Sequence, residues 1–271
     1  MTDQSVGKID EQAWWSIRRG ASPIVGTAIH DGHAMCSELL ERIGIASTQR
    51  LREEDPFTGL LIADLPNQIV VHRSRFEVDL NRARDQAVYL RPEQAWGFTV
   101  WSEAPSAVTV EAVLAFHDAY YSMLQDNLRS IERRYGRFVV LDIHSYNHRR
   151  GGPRTAPMDP KQAPDVNIGT FSLDRRRWAP IVEAFKEYAG GFDFHGRRLN
   201  VQEDVAFQGR GEQARYVHAQ FPRSGCALAV EFKKTFMDEW TGVPDMEAVS
   251  ALRALLKGAV PVLEGALGEV S

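Results

Sequence analysis

The sequence predicts an α/β protein whose strands are covered by helices, and three observations lead there. Short β-branched runs such as "SPIVGTAIHDGH", "QIVVHRS" and "VVLDIHS" recur along the chain. Longer stretches with apolar residues three or four apart separate them. No repeat or low-complexity tract interrupts the alternation. At 271 residues the chain can bury a sizeable core, and it reads as a single domain over residues 1–271. The first ~20 residues and the loop of residues 149–164 are expected to be peripheral.

Each element follows from local pattern. "SPIVGTAIHDGH" is a strand that stops at Asp31-Gly32, followed by a helix through "AMCSELLERIG" that Gly44 ends. "QIVVHRS" and "RFEVDLN" are strands, the second alternating Phe76, Val78 and Leu80 with Glu77 and Asp79. A long helix runs from about Val110 to Tyr135, because Phe116, Tyr120, Leu124, Leu128 and Ile131 form one stripe, and Gly136 closes it. After "VVLDIHS" come the loop with two glycines and four prolines and the strand "DVNIGTF". The helix "RRWAPIVEAFKEYAG" ends at Gly190-Gly191. "ARYVHAQF" and "CALAVEFKKTF" read as late strands. A helix from Asp245 to Lys257 should be broken by Gly258 and Pro261.

Bulk composition excludes several partners. The 32 basic residues are outnumbered by 36 acidic ones, which argues against nucleic acid and acidic membrane surfaces. No run of about 18 apolar residues could span a bilayer. The N-terminal "MTDQSVGKIDEQAWW" does not read as a signal peptide. Cys36 and Cys226 lack knuckle or redox spacing, so the expected setting is the reduced cytoplasm. The chain is expected to be a monomer or a small homo-oligomer.

In open α/β sheets, functional groups collect where strands leave the sheet at their carboxyl ends. Four polar clusters sit at such exits: His30 to His33, "DLNR" at 79–82, Asp142 to Ser145, and Glu231. A hydrolytic zinc site needs three protein ligands, an open position and a carboxylate base that is not itself a ligand. His30 and His144 each end a strand of buried character and are followed by small or polar residues, as ligation requires. Asp142 shares the strand face of His144 and could orient its ring. For the third ligand, spacing leaves open His33 and the acidic run Glu53, Glu54 and Asp55. "SRFEVDLNRAR" carries Arg73, Arg75, Arg82 and Arg84, with Asn81 beside Arg82; a guanidinium fork suits a carboxylate, although Arg75 and Arg82, seven apart, would face opposite sides of a regular strand. His117, on a helix flank, reads as packing, and Asn147 to Arg150 as pocket rim.

Taken in order, "IHDGH", "SRFEVDLNR", "FHDAYY", "LDIHS", "PDVNIGT" and "GCALAVEFKKTFMDE" resemble the N-formylglutamate amidohydrolase family over most of residues 22–240. That resemblance implies a three-layer sandwich with a central mixed sheet, as in zinc carboxypeptidase-like (phosphorylase/hydrolase-like) folds and the related aspartoacylases. It implies one zinc ion, or another divalent metal, on His30, His144 and an acidic third ligand. Glu54, or a carboxylate beside it, is the expected one, because members of the family carry an acidic pair in that region, while His33 stands where relatives place the second residue of an HxxE pair. Glu231 would be the general base, and Arg75, Asn81 and Arg82 the substrate anchors. The implied reaction is hydrolysis of N-formyl-L-glutamate to formate and glutamate. The alternatives are another N-acyl amino acid or short peptide as substrate, or a catalytically silent protein that binds a carboxylated metabolite.

Overall fold

A computed structural model describes residues 13–270. Among these residues, nine strands and seven α-helices follow in the order β1 Trp15–Arg18, β2 Ile24–Ala28, α1 Ser37–Leu40, α2 Ser47–Glu53, α3 Thr58–Leu61, β3 Asn67–Val71, α4 Ala107–Tyr135, β4 Phe138–Tyr146, β5 Val166–Gly169, α5 Ala179–Gly191, β6 Asp193–Phe194, β7 Arg197–Arg198, β8 Val201–Glu203, α6 Glu212–Gln220, β9 Gly225–Lys233 and α7 Met246–Leu267. Seven strands form one mixed sheet in the order β1-β3-β2-β4-β9-β5-β8. Its centre, β3-β2-β4-β9, is parallel; β1 and β5 each run antiparallel to an inner neighbour. Both β6 and β7 lie outside it as a separate hairpin.

Helices cover both faces, so the central strands read as unbroken apolar runs. On β4, Val139, Leu141 and Ile143 pack into a core shared with α5 and α7, while Phe138 and Val140 join a second core under α4 and α6. The period of two then places Asp142 and His144 on the second face. Glu231 is level with His144 on the adjacent strand β9. The expected α/β class and central mixed sheet are therefore present.

Helix α4 matches its sequence pattern. Ser106 caps it by accepting the Thr109 N–H at 3.1 Å, and Gly136 ends it at φ 78°. Of the first ~20 residues, those up to 12 lie outside the described residues, while Trp15–Arg18 forms a sheet edge. Residues 149–164 contain turns and no regular element. No helix among the described residues is long and apolar enough to cross a membrane.

Four elements differ from expectation. "ARYVHAQF" lies in helix α6: Gln213, Ala214 and Val217 are the buried positions, a helical spacing that the near-alternation of Tyr216 and His218 concealed. "RFEVDLN" is a turning segment, with Glu77 and Asp79 as buried as Phe76 and Leu80 because both acids have internal partners. The helix expected before Gly44 contracts to Ser37–Leu40. Helix α7 continues through Gly258 and Pro261 to Leu267, because Ala259, Leu263 and Ala266 extend its buried face. A Cβ at Gly258 would lie 2.0 Å from the Tyr188 hydroxyl, so the glycine serves packing here and not termination.

His218 on α6 accepts the Ala227 N–H at Nε2, 2.9 Å away, and Nδ1 donates to Ser172 Oγ at 2.8 Å. Burial pushes its pKa down to about 4, although the Ala227 contact acts in the opposite direction. The unfolded chain thus binds the proton more readily between that value and the ordinary ~6.5. The neutral ring's stabilisation is complete above pH ~6.5 and declines by up to about 3 kcal/mol as pH falls to ~4. Urea titrations across this range should show a steeper acid loss for the parent than for His218→Gln; parallel curves would contradict the assignment.

Candidate active site

His30 follows β2, Asp55 follows α2, and His144 stands near the end of β4. All three are buried, and one donor atom from each lies within 4.8 Å of the others. Asp55 Oδ2 is 3.3 Å from His30 Nδ1 and 3.1 Å from His144 Nδ1. The far side of each ring meets another carboxylate: His30 Nε2 is 2.7 Å from Asp79 Oδ1, and His144 Nε2 is 3.1 Å from Asp142 Oδ1. Each ring is therefore oriented with Nδ1 toward Asp55.

This donor set fits a small divalent cation. Tetrahedral bonds of about 2.0–2.1 Å put neighbouring ligand atoms roughly 3.3 Å apart, close to the separations around Asp55 Oδ2. Two imidazole nitrogens and one carboxylate are also the ligand types of a hydrolytic zinc site. All three residues line a cavity of about 500 Å³, which leaves an open side. The carboxylates on the far ring nitrogens supply the outer support typical of metal-binding histidines.

Burial works to raise Asp55, but hydrogen bonds from His144 and His30 hold it below the usual carboxylate range. Burial works to lower His144, and Asp142 and Asp55 nonetheless hold its pKa well above the ordinary value. Glu231 opens onto the same cavity. Desolvation by the surrounding protein pushes its carboxyl up to about 8; His144 and Arg75 oppose this, and Asp55 and Asp142 add to it.

Glu54 does not join the histidine pair. Its carboxylate lies 2.5 Å from His33 Nδ1, accepts from Ser74 Oγ, and is 3.6 Å from Arg50. The chain turns at Glu54, at ψ 173°, and delivers the next residue, Asp55, to the rings. The Asp55 N–H donates to the His30 carbonyl at 2.9 Å, which ties the turn to the exit of β2. His33 is thus a partner of Glu54, and Glu53 pairs with Arg150 at 3.2 Å.

Arg75, Asn81 and Arg82 all line the cavity. The turning backbone of residues 74–82 resolves the opposite-face problem that a strand would have posed. Arg75 donates to Asp79 Oδ2 at 2.8 Å and to the Glu53 carbonyl at 3.2 Å. Asn81 Oδ1 accepts the Gln213 N–H at 3.2 Å, and its Nδ2 is 3.4 Å from His144 Nε2. Arg82 is half-exposed, and its carbonyl accepts from His117 Nε2 at 2.9 Å, so His117 holds the segment from behind. Asn147 and Arg150 line the cavity. His148 is buried next to Glu239 instead.

Sequence reasoning missed three supporting groups. Asp79 was legible only as part of "DLNR", and its position two residues before Asn81 was the available signal. Gln213 donates to Asp142 Oδ1 at 2.5 Å and to Thr27 at 2.7 Å, but lay in a segment misread as leading into a strand. Buried Lys234 donates to the carbonyls of Arg52 and Glu54 at 2.7 and 2.6 Å, clamping the turn that carries Asp55. Nothing in "EFKKTF" distinguishes it from Lys233.

The family model described as N-formylglutamate amidohydrolase matches residues 22–237. Among solved structures, the chain resembles an N-formylglutamate amidohydrolase from Ralstonia eutropha JMP134, with a TM-score of 0.70 and 15% identity over 94% of this chain and 97% of the other. It also resembles a gene product of Agrobacterium tumefaciens, with a TM-score of 0.65 and 13% identity over 96% of each chain. At these identities the structural likeness establishes the fold. No curated protein matches the chain.

Proposed function

The chain belongs to the N-formylglutamate amidohydrolase family, and from that premise we propose that it hydrolyses N-formyl-L-glutamate to formate and L-glutamate with one zinc ion held by His30, Asp55 and His144. The observation that carries the metal reading is the meeting of both Nδ1 atoms at Asp55 Oδ2, with Glu231 opening onto the same cavity. Asp55 replaces Glu54 in the expected ligand set. Donors and base gathered at the exits of neighbouring parallel strands support reading the sheet as zinc carboxypeptidase-like and the chain as one catalytic domain. The free, buried Cys36 and Cys226 suit a reducing compartment such as the cytoplasm.

When bound, the cation would supply Lewis acidity toward the amide carbonyl and make a water molecule acidic enough to ionise near neutral pH. Glu231 accepts the proton from the attacking water and passes it to the leaving nitrogen. Arg75, pinned by Asp79, donates hydrogen bonds to the developing oxyanion or to the substrate's carbonyl. Asn81 and Arg82 grip a carboxylate and hold the scissile bond against the base. Asp79 and Asp142 keep each imidazole in one orientation.

Exhaustive chelation should abolish formate release, and stoichiometric zinc should restore it while other supplied ions restore it to differing degrees. Full turnover by metal-free protein would defeat the reading. Comparison of N-formyl, N-acetyl and peptide analogues tests the acyl group.

A further inference from the structure

One wall of the cavity is built by a segment that the proposed chemistry leaves unused. Residues 205–211, between β8 and α6, carry no regular structure, yet they are fixed at several points. Asn167 of β5 is buried; its Oδ1 accepts from the N–H groups of Val205 and Ala206 at 3.0 and 2.9 Å, and its Nδ2 donates to the Phe207 carbonyl at 2.7 Å. A Cβ on Gly169 or Gly209 would lie less than 3.0 Å from the other's backbone, and Gly209 adopts φ 73°. The Phe171 N–H donates to the Gln208 carbonyl at 2.8 Å. A segment held this way loses little freedom when it binds something.

What it presents is Arg210. The guanidinium lies 3.7 Å over the Phe171 ring, and its Nε donates to Gln208 Oε1 at 2.8 Å. The charge balance of the cavity lining then distinguishes it. Arg75 donates to Asp79, Arg150 donates to Glu53, and Lys234 is spent on two carbonyls. Arg82 Nη2 donates to the Gln94 carbonyl at 3.2 Å, and its only carboxylate in range among the described residues is Asp79, at 3.7 Å, beyond a hydrogen bond. Arg210 forms no ion pair among the described residues. Two guanidinium groups on separate segments thus face one cavity without a hydrogen-bonded counter-ion, and a dicarboxylate matches them better than a monocarboxylate.

We propose that Arg210 is a specificity-determining residue that binds the second carboxylate of a dicarboxylic N-acyl amino acid, with Arg82 binding the first. Asn167 is a positioning residue that acts through the backbone of 205–207. The assignment rests on the hydrolase reading of this pocket for its substrate class. It also explains why "PDVNIGT", which supplies neither metal ligand nor base, belongs to the site.

The test compares kcat/KM for N-formyl-L-glutamate and N-formyl-L-glutamine in the parent, Arg210→Gln and Arg210→Lys. The ratio should fall about 10- to 100-fold in Arg210→Gln through a raised KM for the diacid, with partial recovery in Arg210→Lys. A ratio unchanged by Arg210→Gln would overturn the proposal. Calorimetric binding of glutarate and butyrate to the zinc-loaded parent and Arg210→Gln needs no turnover. Glutarate binding that weakens in the variant, even if the parent hydrolyses neither amide, would sustain the dicarboxylate site while removing the hydrolase reading. Parent protein that binds glutarate no more tightly than butyrate would overturn the site itself.

Discussion

Glu231→Gln is expected to lower kcat for N-formyl-L-glutamate by about 10²- to 10⁴-fold, the usual contribution of a positioned proton-transfer group. The substitution preserves shape and removes the ability to accept a proton. Glu231 stands beside His144 on the adjacent strand, and its carboxylate accepts no hydrogen bond among the described residues, so the amide should disturb little else. Zinc affinity should remain close to that of the parent. Steady-state kinetics paired with zinc titration check both parts, and a variant retaining a tenth or more of the parental kcat would remove Glu231 from proton transfer.

Asp55→Asn should weaken zinc binding by more than about 100-fold, beyond the 10- to 100-fold range seen for partners outside the ligand set. Glu54→Gln should change it far less. The amide at 54 can keep the site's shape but loses charge-assisted contacts with His33, Ser74 and Arg50, so its principal effect is a stability loss of about 1–3 kcal/mol. Zinc titration and urea unfolding on both variants separate these roles. The opposite ranking of zinc affinities would return the ligand assignment to Glu54.

Much of this geometry is legible in the sequence. His30 and His144 were found because buried runs ending in histidine mark strand exits, and the period of two placed Asp142 on the face of His144. The choice within Glu53-Glu54-Asp55 was not legible: three adjacent acids carry equal chemistry, and only the backbone turn at Glu54 decides which one meets the rings. Residues 75–81 misled for a related reason. Strand-like alternation assumes one apolar and one solvated face, whereas here Glu77 and Asp79 are buried against Arg73 and His30. Gly258 and Pro261 look like breakers because local propensity carries no information about the apolar face that α7 buries beyond them. The wall at 205–211 is set by Asn167, a residue nearly forty positions earlier, and so left no local signature.

The central order β2-β4-β9 has a consequence for how the molecule acquires its site. His30, His144 and Glu231 are brought together only when strands remote in sequence have paired in parallel, which is slow because distant segments must close large loops before contacts compensate. Under the proposed ligand set, a cation would therefore meet no assembled site in the early collapsed chain. On the proposed metal reading, loading would follow completion of the sheet, in contrast to small domains that fold around zinc.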